Sequence, residues 1–145
     1  MTRGIFSLST LITAFAAALI LSPAVLTNAQ TFTTLTSFDG TASGTPEAAL
    51  VQAEDGNLYG TNHGAGTYPF GSLFKITRAG ALTTELFFGF VGNEPRAGMI
   101  LATDGNLYGT TTYGGANEWG TAFRYSPGTE ATNVIYNFCS LPDCA

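Results

Sequence analysis

The sequence has 145 residues, of which 45% are hydrophobic and 10% charged, with 18 glycines and a formal net charge of −5. Low charge and high glycine, without long helix-forming runs, indicate an all-β, turn-rich protein. Ten acidic residues stand against five basic ones, so no basic patch is available to hold a polyanion. We therefore expect neither nucleic acid nor anionic membrane surfaces as partners.

The N-terminus has the form of an export signal. Arg3 precedes the apolar run 11–21, Pro23 breaks it, and Thr27-Asn28-Ala29 offers small residues to a signal peptidase. The pattern predicts a signal peptide over residues 1–29 and a secreted or cell-surface protein. An uncleaved anchor is the alternative, because residues 4–21 approach spanning length. No later stretch is apolar and long enough to span a bilayer as a helix, so no membrane contact is expected after cleavage.

An internal repeat organises the rest of the chain. Residues 55–61, Asp-Gly-Asn-Leu-Tyr-Gly-Thr, return unchanged 49 residues later as residues 104–110. Setting residues 46–76 over 95–125 gives 13 identities in 31 positions without a gap. A fixed period of this length is typical of repeat architectures.

Each copy contains four apolar runs separated by turn residues, which predicts four short strands. Beyond the third strand we expect one residue to be lost in the second copy, since Gly80 then matches Gly128 and Phe90 matches Phe138. Residues 31–38 resemble the fourth strand, with Leu35 and Phe38 matching Phe87 and Phe90, and also Ile135 and Phe138. The predicted strands are residues 49–53, 58–61, 72–76 and 82–90, then 98–102, 107–111, 121–125 and 132–138.

These features divide the chain into a signal peptide (1–29), an N-terminal strand and linker (30–45), repeat 1 (46–94) and repeat 2 with a cysteine loop (95–145). Four antiparallel strands in about 49 residues fit one blade of a β-propeller. Two blades cannot close a ring, so we predict an incomplete propeller or a chain that completes its core by self-association. The alternative is a small β-sandwich or an open meander.

Both cysteines lie near the C-terminus. In an exported protein the favoured interpretation is a local disulfide between Cys139 and Cys144, with free thiols or a metal site as alternatives. A metal site would need further soft ligands, and the single histidine is His63. A ring this small would pin a loop rather than hold the fold, contributing about 2 kcal/mol.

The repeated turn invites a calcium or catalytic interpretation. Its residues are Asp55, Gly56 and Asn57 in the first copy and Asp104, Gly105 and Asn106 in the second. An EF-hand loop needs alternating oxygen ligands over twelve residues and a final bidentate Glu, which this sequence lacks. Since every copy repeats the turn, we favour a structural role in which the Asp caps its own turn. His63 lacks partners for general-base chemistry, and we predict no metal ligands, catalytic residues or cofactor.

Aromatic side chains are better candidates for a binding surface, because they stack on sugar rings and on apolar protein surfaces. Equivalent repeat positions hold Tyr59 and Tyr108, and likewise Phe70 and Trp119, which favours packing between blades for these pairs. The candidate ligand surface consists of Tyr68, Tyr113 and Trp119.

The runs Gly56–Thr61 and Gly105–Thr111, with Gly114-Gly115 and Gly120-Thr121-Ala122-Phe123-Arg124, resemble the Gloeo/Verruco (GloVer) tandem repeat of exported bacterial proteins. Tyr136-Asn137-Phe138-Cys139 with Cys144 resembles the cysteine loop between some of those repeats. The resemblance implies a propeller-like, exported β protein with no established activity and no catalytic residue to transfer. We expect a non-enzymatic binding or structural module whose partner is a carbohydrate or a surface protein. The alternative is a piece of a propeller-type lyase or glycan hydrolase.

Overall fold

The computed structural model describes residues 31–40, 44–64 and 69–140. The predicted signal peptide, residues 1–29, therefore lies outside the described residues. The chain divides into two units, Met1–Phe32 and Thr33–Ala145. All of the described strands lie in the second unit, and no helix long and apolar enough to cross a membrane occurs in the described ranges.

Eight strands form two four-stranded antiparallel sheets, each a simple meander in chain order. This confirms the all-β class; the arrangement as an incomplete propeller stays a prediction. Sheet 1 lies within the predicted repeat 1, and sheet 2 within the predicted repeat 2. Sheet 1 comprises β1 (Val51–Gln52), β2 (Leu58–Asn62), β3 (Ser72–Ile76) and β4 (Leu82–Phe87); sheet 2 comprises β5 (Ile100–Leu101), β6 (Leu107–Thr110), β7 (Thr121–Ser126) and β8 (Ala131–Asn137).

A glycine in the middle of the second strand of each sheet allows close approach of an aromatic ring. Gly60 lies opposite Phe74, and Gly109 lies opposite Phe123. A Cβ on Gly60 would come 2.4 Å from Phe74 Cζ, and one on Gly109 would come 2.6 Å from Phe123 Cζ. Each phenylalanine ring therefore lies across the backbone of its neighbouring strand, where no side chain fits.

The fourth strands show that the predicted loss of one residue in repeat 2 is wrong. Phe74 pairs with Thr84, and Phe123 pairs with Val134, so β8 follows β4 at an offset of 50 rather than 48. The second copy has gained a residue in its last turn. Glu130, at φ 56°, has the left-handed conformation that Gly80 has at φ 86° in the first copy. The match of Gly80 with Gly128 was misleading, because Glu130 occupies the position that is equivalent to Gly80.

Residues 31–38 also differ from the prediction, since they form no strand. None of the eight described strands pairs with them, and a strand exists only through such pairing. Phe38 nevertheless packs edge-on against Phe74 of sheet 1, with ring centroids 5.0 Å apart. Phe88 packs in the same way on Phe123, at 5.2 Å. Phe38 is thus equivalent to Phe88, not to Phe90 as predicted, whereas its match with Phe138 agrees with the offset of 50.

The core lies between the two sheets. We call the side of sheet 1 that carries Tyr59 and Leu73 its inner face, and the opposite side its outer face; the inner face of sheet 2 carries Leu107 and Phe123. Alternation along the strands assigns each remaining side chain to one of these faces. The buried cluster contains Ala53, Tyr59, Leu73, Phe88, Met99, Leu107, Phe123 and Tyr125.

We predict that Gly109→Ala lowers the free energy of unfolding by about 1–3 kcal/mol, because the new methyl group overlaps Phe123 and forces the core to shift. Gly128→Ala is the matched control, since a Cβ there has no atom within 4 Å. Urea unfolding followed by tryptophan fluorescence measures both. Equal stability of the two variants would show that the aromatic ring does not need the bare backbone.

Candidate functional site

The repeated Asp turn has the same hydrogen bonds in both copies. Asp55 Oδ1 accepts the backbone N–H of Asn57 at 3.0 Å, and its Oδ2 accepts the side-chain amide of Asn57 and the hydroxyl of Tyr59, both at 2.8 Å. Gly56 has φ 79°, which glycine adopts without the steric cost of a Cβ. Every oxygen of the carboxylate is engaged in joining the turn to β2.

The second copy repeats these bonds within 0.1 Å: Asp104 accepts the backbone N–H of Asn106 at 3.1 Å, and the Asn106 amide and Tyr108 hydroxyl at 2.8 Å. Gly105 has φ 76°. Within the described ranges, no group of three or more His, Cys, Asp and Glu side chains is arranged to hold a metal ion. The arrangement caps a turn and anchors a tyrosine.

Of the two equivalent tyrosines, Tyr59 belongs to the buried core and Tyr108 is only half-buried. Tyr59 is buried and its ring lies 5.8 Å from that of Tyr125 on sheet 2, centroid to centroid. The Tyr125 hydroxyl in turn donates to Glu85 Oε2 of sheet 1 at 3.1 Å, and Lys75 Nζ lies 2.9 Å from Glu85 Oε1. This polar chain crosses the sheet interface and satisfies each buried group. Sequence reasoning missed Glu85; the break in repeat identity, with Ile135 at the equivalent position, was the available signal.

The electrostatics follow from these bonds. Burial acts to raise the pKa of Asp55, but the hydrogen bonds from Asn57 and Tyr59 outweigh it and hold this pKa below its usual range. Burial likewise acts to raise the pKa of Glu85, and the bonds from Lys75, Thr83 and Tyr125 lower it on balance. Hydrogen bonds from Asn106 and then Tyr108 lower the pKa of Asp104. All three carboxylates are thus held in their ionised form, as acceptors rather than as proton donors.

His63 lies apart from the turns and has a local structural partner. Its Nδ1 is 3.4 Å from Glu47 Oε1 and 3.4 Å from Thr45 Oγ1, and its backbone N–H donates to the carbonyl of Thr45. These contacts tie the linker before β1 to the end of β2. They position the imidazole against a segment of its own chain.

Exposed aromatic side chains gather along one end of the strands, in the loops that join β2 to β3 and β6 to β7. Phe70 and Trp119 both precede a buried glycine and both are exposed, Trp119 to 60%. The packing expected for this repeated pair is therefore not what the structure shows. Tyr113 is also exposed, whereas Tyr68 lies outside the described residues.

A cleft of about 480 Å³ opens beside Phe70 at this end. Phe90 is fully exposed at its edge, and the buried Oδ1 of Asn93 has no hydrogen-bond partner in the described part of the chain. Asn93 also exchanges backbone hydrogen bonds with Tyr113 at 2.7 and 3.1 Å. A bridge between Gly114 and Trp119 then continues the surface to Trp119. We call this surface the aromatic rim; its side chains are Phe70, Phe87, Phe90, Asn93, Tyr113 and Trp119.

Sequence reasoning identified Tyr113 and Trp119 but missed the contribution of Phe87, Phe90 and Asn93. The run Phe87-Phe88-Gly89-Phe90 was assigned whole to a strand, although β4 ends at Phe87. The chain turns there, so that Phe88 enters the core and Phe90 remains outside. The predicted disulfide stays a prediction, since Cys144 lies outside the described residues.

Two copies of one four-stranded meander, with the same turn and the same ring-over-glycine contact, define an all-β tandem-repeat protein. The chain belongs to the Gloeobacter/Verrucomicrobia repeat family, whose model matches residues 24–145. The resemblance drawn from the repeated motif is thereby confirmed. Comparison with curated proteins and with solved structures gave no match.

We predict that Asp55→Ala costs about 1–3 kcal/mol of unfolding free energy, because the buried Tyr59 hydroxyl loses its acceptor. Asp104→Ala is the matched variant and should cost less, since water can replace the acceptor at the more exposed Tyr108. Chemical unfolding measures both. Equal losses would mean that the turn alone, and not the buried tyrosine, sets the cost.

Acid should destabilise the fold through the same carboxylates. A carboxylate with a lowered folded-state pKa contributes its full stability above the unfolded-state pKa and loses it as the pH falls through the folded-state value. We therefore expect the melting temperature to decline below about pH 4. Asp55→Asn should make the decline shallower. A melting temperature that stays constant down to pH 2 would contradict this account.

Proposed function

We propose that the protein is an exported, non-enzymatic repeat module that binds a carbohydrate through the aromatic rim. The observation that supports this best is that Phe70, Phe90, Tyr113 and Trp119 are all exposed in segments that backbone bonds join at one end of the strands. Large aromatic side chains are costly to leave in water, and a contiguous exposed group of them is typical of interaction sites. The family repeat supplies the scaffold, and loops on a rigid scaffold are where binding residues usually lie.

The chemistry of the rim favours a sugar ring over an ion. Tyrosine, tryptophan and phenylalanine offer flat apolar faces that can cover the C–H face of a pyranose. The side chain of Asn93 lines the cleft and supplies an amide, which can hydrogen-bond a ligand hydroxyl. A cleft of about 480 Å³ falls in the ordinary range for small-molecule sites.

Export is supported by the order of features at the N-terminus: Arg3, an apolar run, Pro23 and small residues up to Ala29. An extracellular location would also expose the rim to glycans of the cell surface or the medium. The enzymatic alternative would require catalytic residues from further repeats, and no contact in the described residues favours it over binding.

A glycan array followed by calorimetry on the best ligand tests the proposal. We expect Trp119→Ala and Phe90→Ala each to weaken binding at least about tenfold, as loss of an aromatic anchor does. Leu101→Ala is the control, because it removes an exposed apolar side chain beside the β5–β6 turn, at the other end of the strands. Binding of no glycan, or equal affinity of all three variants, would refute the carbohydrate site. Binding only to a protein ligand would replace the carbohydrate by a surface protein.

A further inference from the structure

The outer face of sheet 2 repeats the positions by which sheet 1 holds sheet 2, yet it is exposed. Val51 is partly buried against the core, whereas its equivalent Ile100 is 66% exposed. Tyr59 is buried, whereas Tyr108 is only half-buried. Along β8, Ile135 and Tyr136 are exposed at the positions that Glu85 and Leu86 occupy in the interface. At each of these positions the side chain is more buried in the copy that has a neighbouring sheet than in the copy without one.

The outer face of sheet 1 shows the complementary pattern at two positions. Met99 is 6% exposed beneath sheet 1, whereas its equivalent Leu50 is 45% exposed. Leu107 is fully buried, and its equivalent Leu58 is only partly buried. Phe74 and Ile76 of this face are buried, at 1% and 3% exposure, and Phe74 packs against Phe38 of the N-terminal segment. The outer face of sheet 2 is therefore open, whereas the outer face of sheet 1 is open at Leu50 and covered at Phe74.

We propose that the outer face of sheet 2 binds the outer face of sheet 1 of a second copy of this chain, head to tail. The contact would repeat the internal interface between the two sheets. Because the two surfaces differ, the association is heterologous, so it extends from copy to copy until it closes into a ring or continues as a filament.

The change from Glu85 to Ile135 indicates which partner sheet 2 accepts. In the internal interface the Glu85 carboxylate accepts a hydrogen bond from the hydroxyl of Tyr125. The residue of sheet 1 equivalent to Tyr125 is Ile76, which offers no hydroxyl. Ile135, the equivalent of Glu85, has lost the carboxylate. An isoleucine in this place suits a partner that presents Ile76, and would leave the hydroxyl of a Tyr125-type partner without an acceptor.

Residues 33–38 already lie on the outer face of sheet 1, where Phe38 packs on Phe74 as Phe88 packs on Phe123. This is the place that the fourth strand of a preceding sheet would occupy. Leu35 precedes Phe38 by three residues, as Glu85 precedes Phe88 and Ile135 precedes Phe138. No hydrogen bond is made by residues 31–38 within the described part of the chain. In the assembly, β8 with Ile135 and Phe138 takes the place of Leu35 and Phe38 on the second copy, and little hydrogen bonding is lost when the segment leaves.

The outer face of sheet 2 also has room for the partner's side chains. A groove of about 250 Å³ runs over Gly109, lined by Ile100, Tyr108, Ala122 and Ile135. Met99 is buried in the internal interface, so its equivalent, Leu50 of the second copy, is the side chain that we place in this groove. Its walls are apolar, as an isobutyl group requires.

Analytical ultracentrifugation of the protein purified after expression of the full chain tests the assembly. We expect the weight-average mass to rise with concentration above that of one chain. Ile135→Asp and Leu50→Asp should each remain monomeric alone, because each destroys one of the two faces. An equimolar mixture of the two should form a dimer, through the intact face of each. Thr129→Asp, in the exposed β7–β8 turn, adds the same charge elsewhere and should associate like the wild type.

Leu35→Asp supplies an independent measurement, because it loosens the segment that β8 must displace and should strengthen self-association. Both interface substitutions are at exposed side chains, and circular dichroism verifies that each variant remains folded. A monomeric wild type at all concentrations would overturn the proposal. Self-association of Leu50→Asp alone would also overturn it, since two outer faces of sheet 2 would then be pairing with each other. So would weaker association of Leu35→Asp.

Discussion

The buried hydroxyl of Tyr59 is the constraint on which the rest of the first repeat depends. A phenol at 1% exposure needs an acceptor, and Asp55 supplies it from a turn only four residues earlier. The same carboxylate binds Asn57, so the turn, the start of β2 and the tyrosine ring are held as one unit. The ring also contacts Tyr125 of sheet 2. A turn that is fixed by local hydrogen bonds therefore positions a residue of the interface between the two sheets.

Because this unit is local, much of it could be predicted from the sequence. An Asp-Gly-Asn turn needs only a short acceptor, a residue tolerant of positive φ and a second short polar side chain, and all three are adjacent in the chain. The residues of β3 were predicted without error for a similar reason: Gly71 marks the start of a short, mostly apolar run, and a turn follows it directly. The outer strands β1 and β5 are shorter than predicted, at two residues each, since apolar character extends beyond the paired backbone.

The rest depended on contacts between residues distant in sequence. The register of β8 follows from Glu130 in a left-handed conformation, where the pattern suggested a glycine two residues earlier. The aromatic rim requires β4 to end at Phe87, and the ends of strands are decided by pairing rather than by composition. Tyr59 and Tyr108 have identical neighbours in sequence, yet one is buried and the other only half-buried, because burial is set by the sheet that lies opposite.

Residues that are identical in the two repeats therefore form the common scaffold. Residues that differ between equivalent positions reflect the surface against which each position packs. Leu35, Glu85 and Ile135 occupy equivalent positions, and each is matched to what it faces or can face. Glutamate occurs where Tyr125 presents a hydroxyl, and an aliphatic side chain occurs where Ile76 lies on the facing sheet. A glutamate left opposite Ile76 would be desolvated without a donor, which costs more than the apolar contact it would displace. Ile135 is thus suited to packing β8 against a surface that presents Ile76.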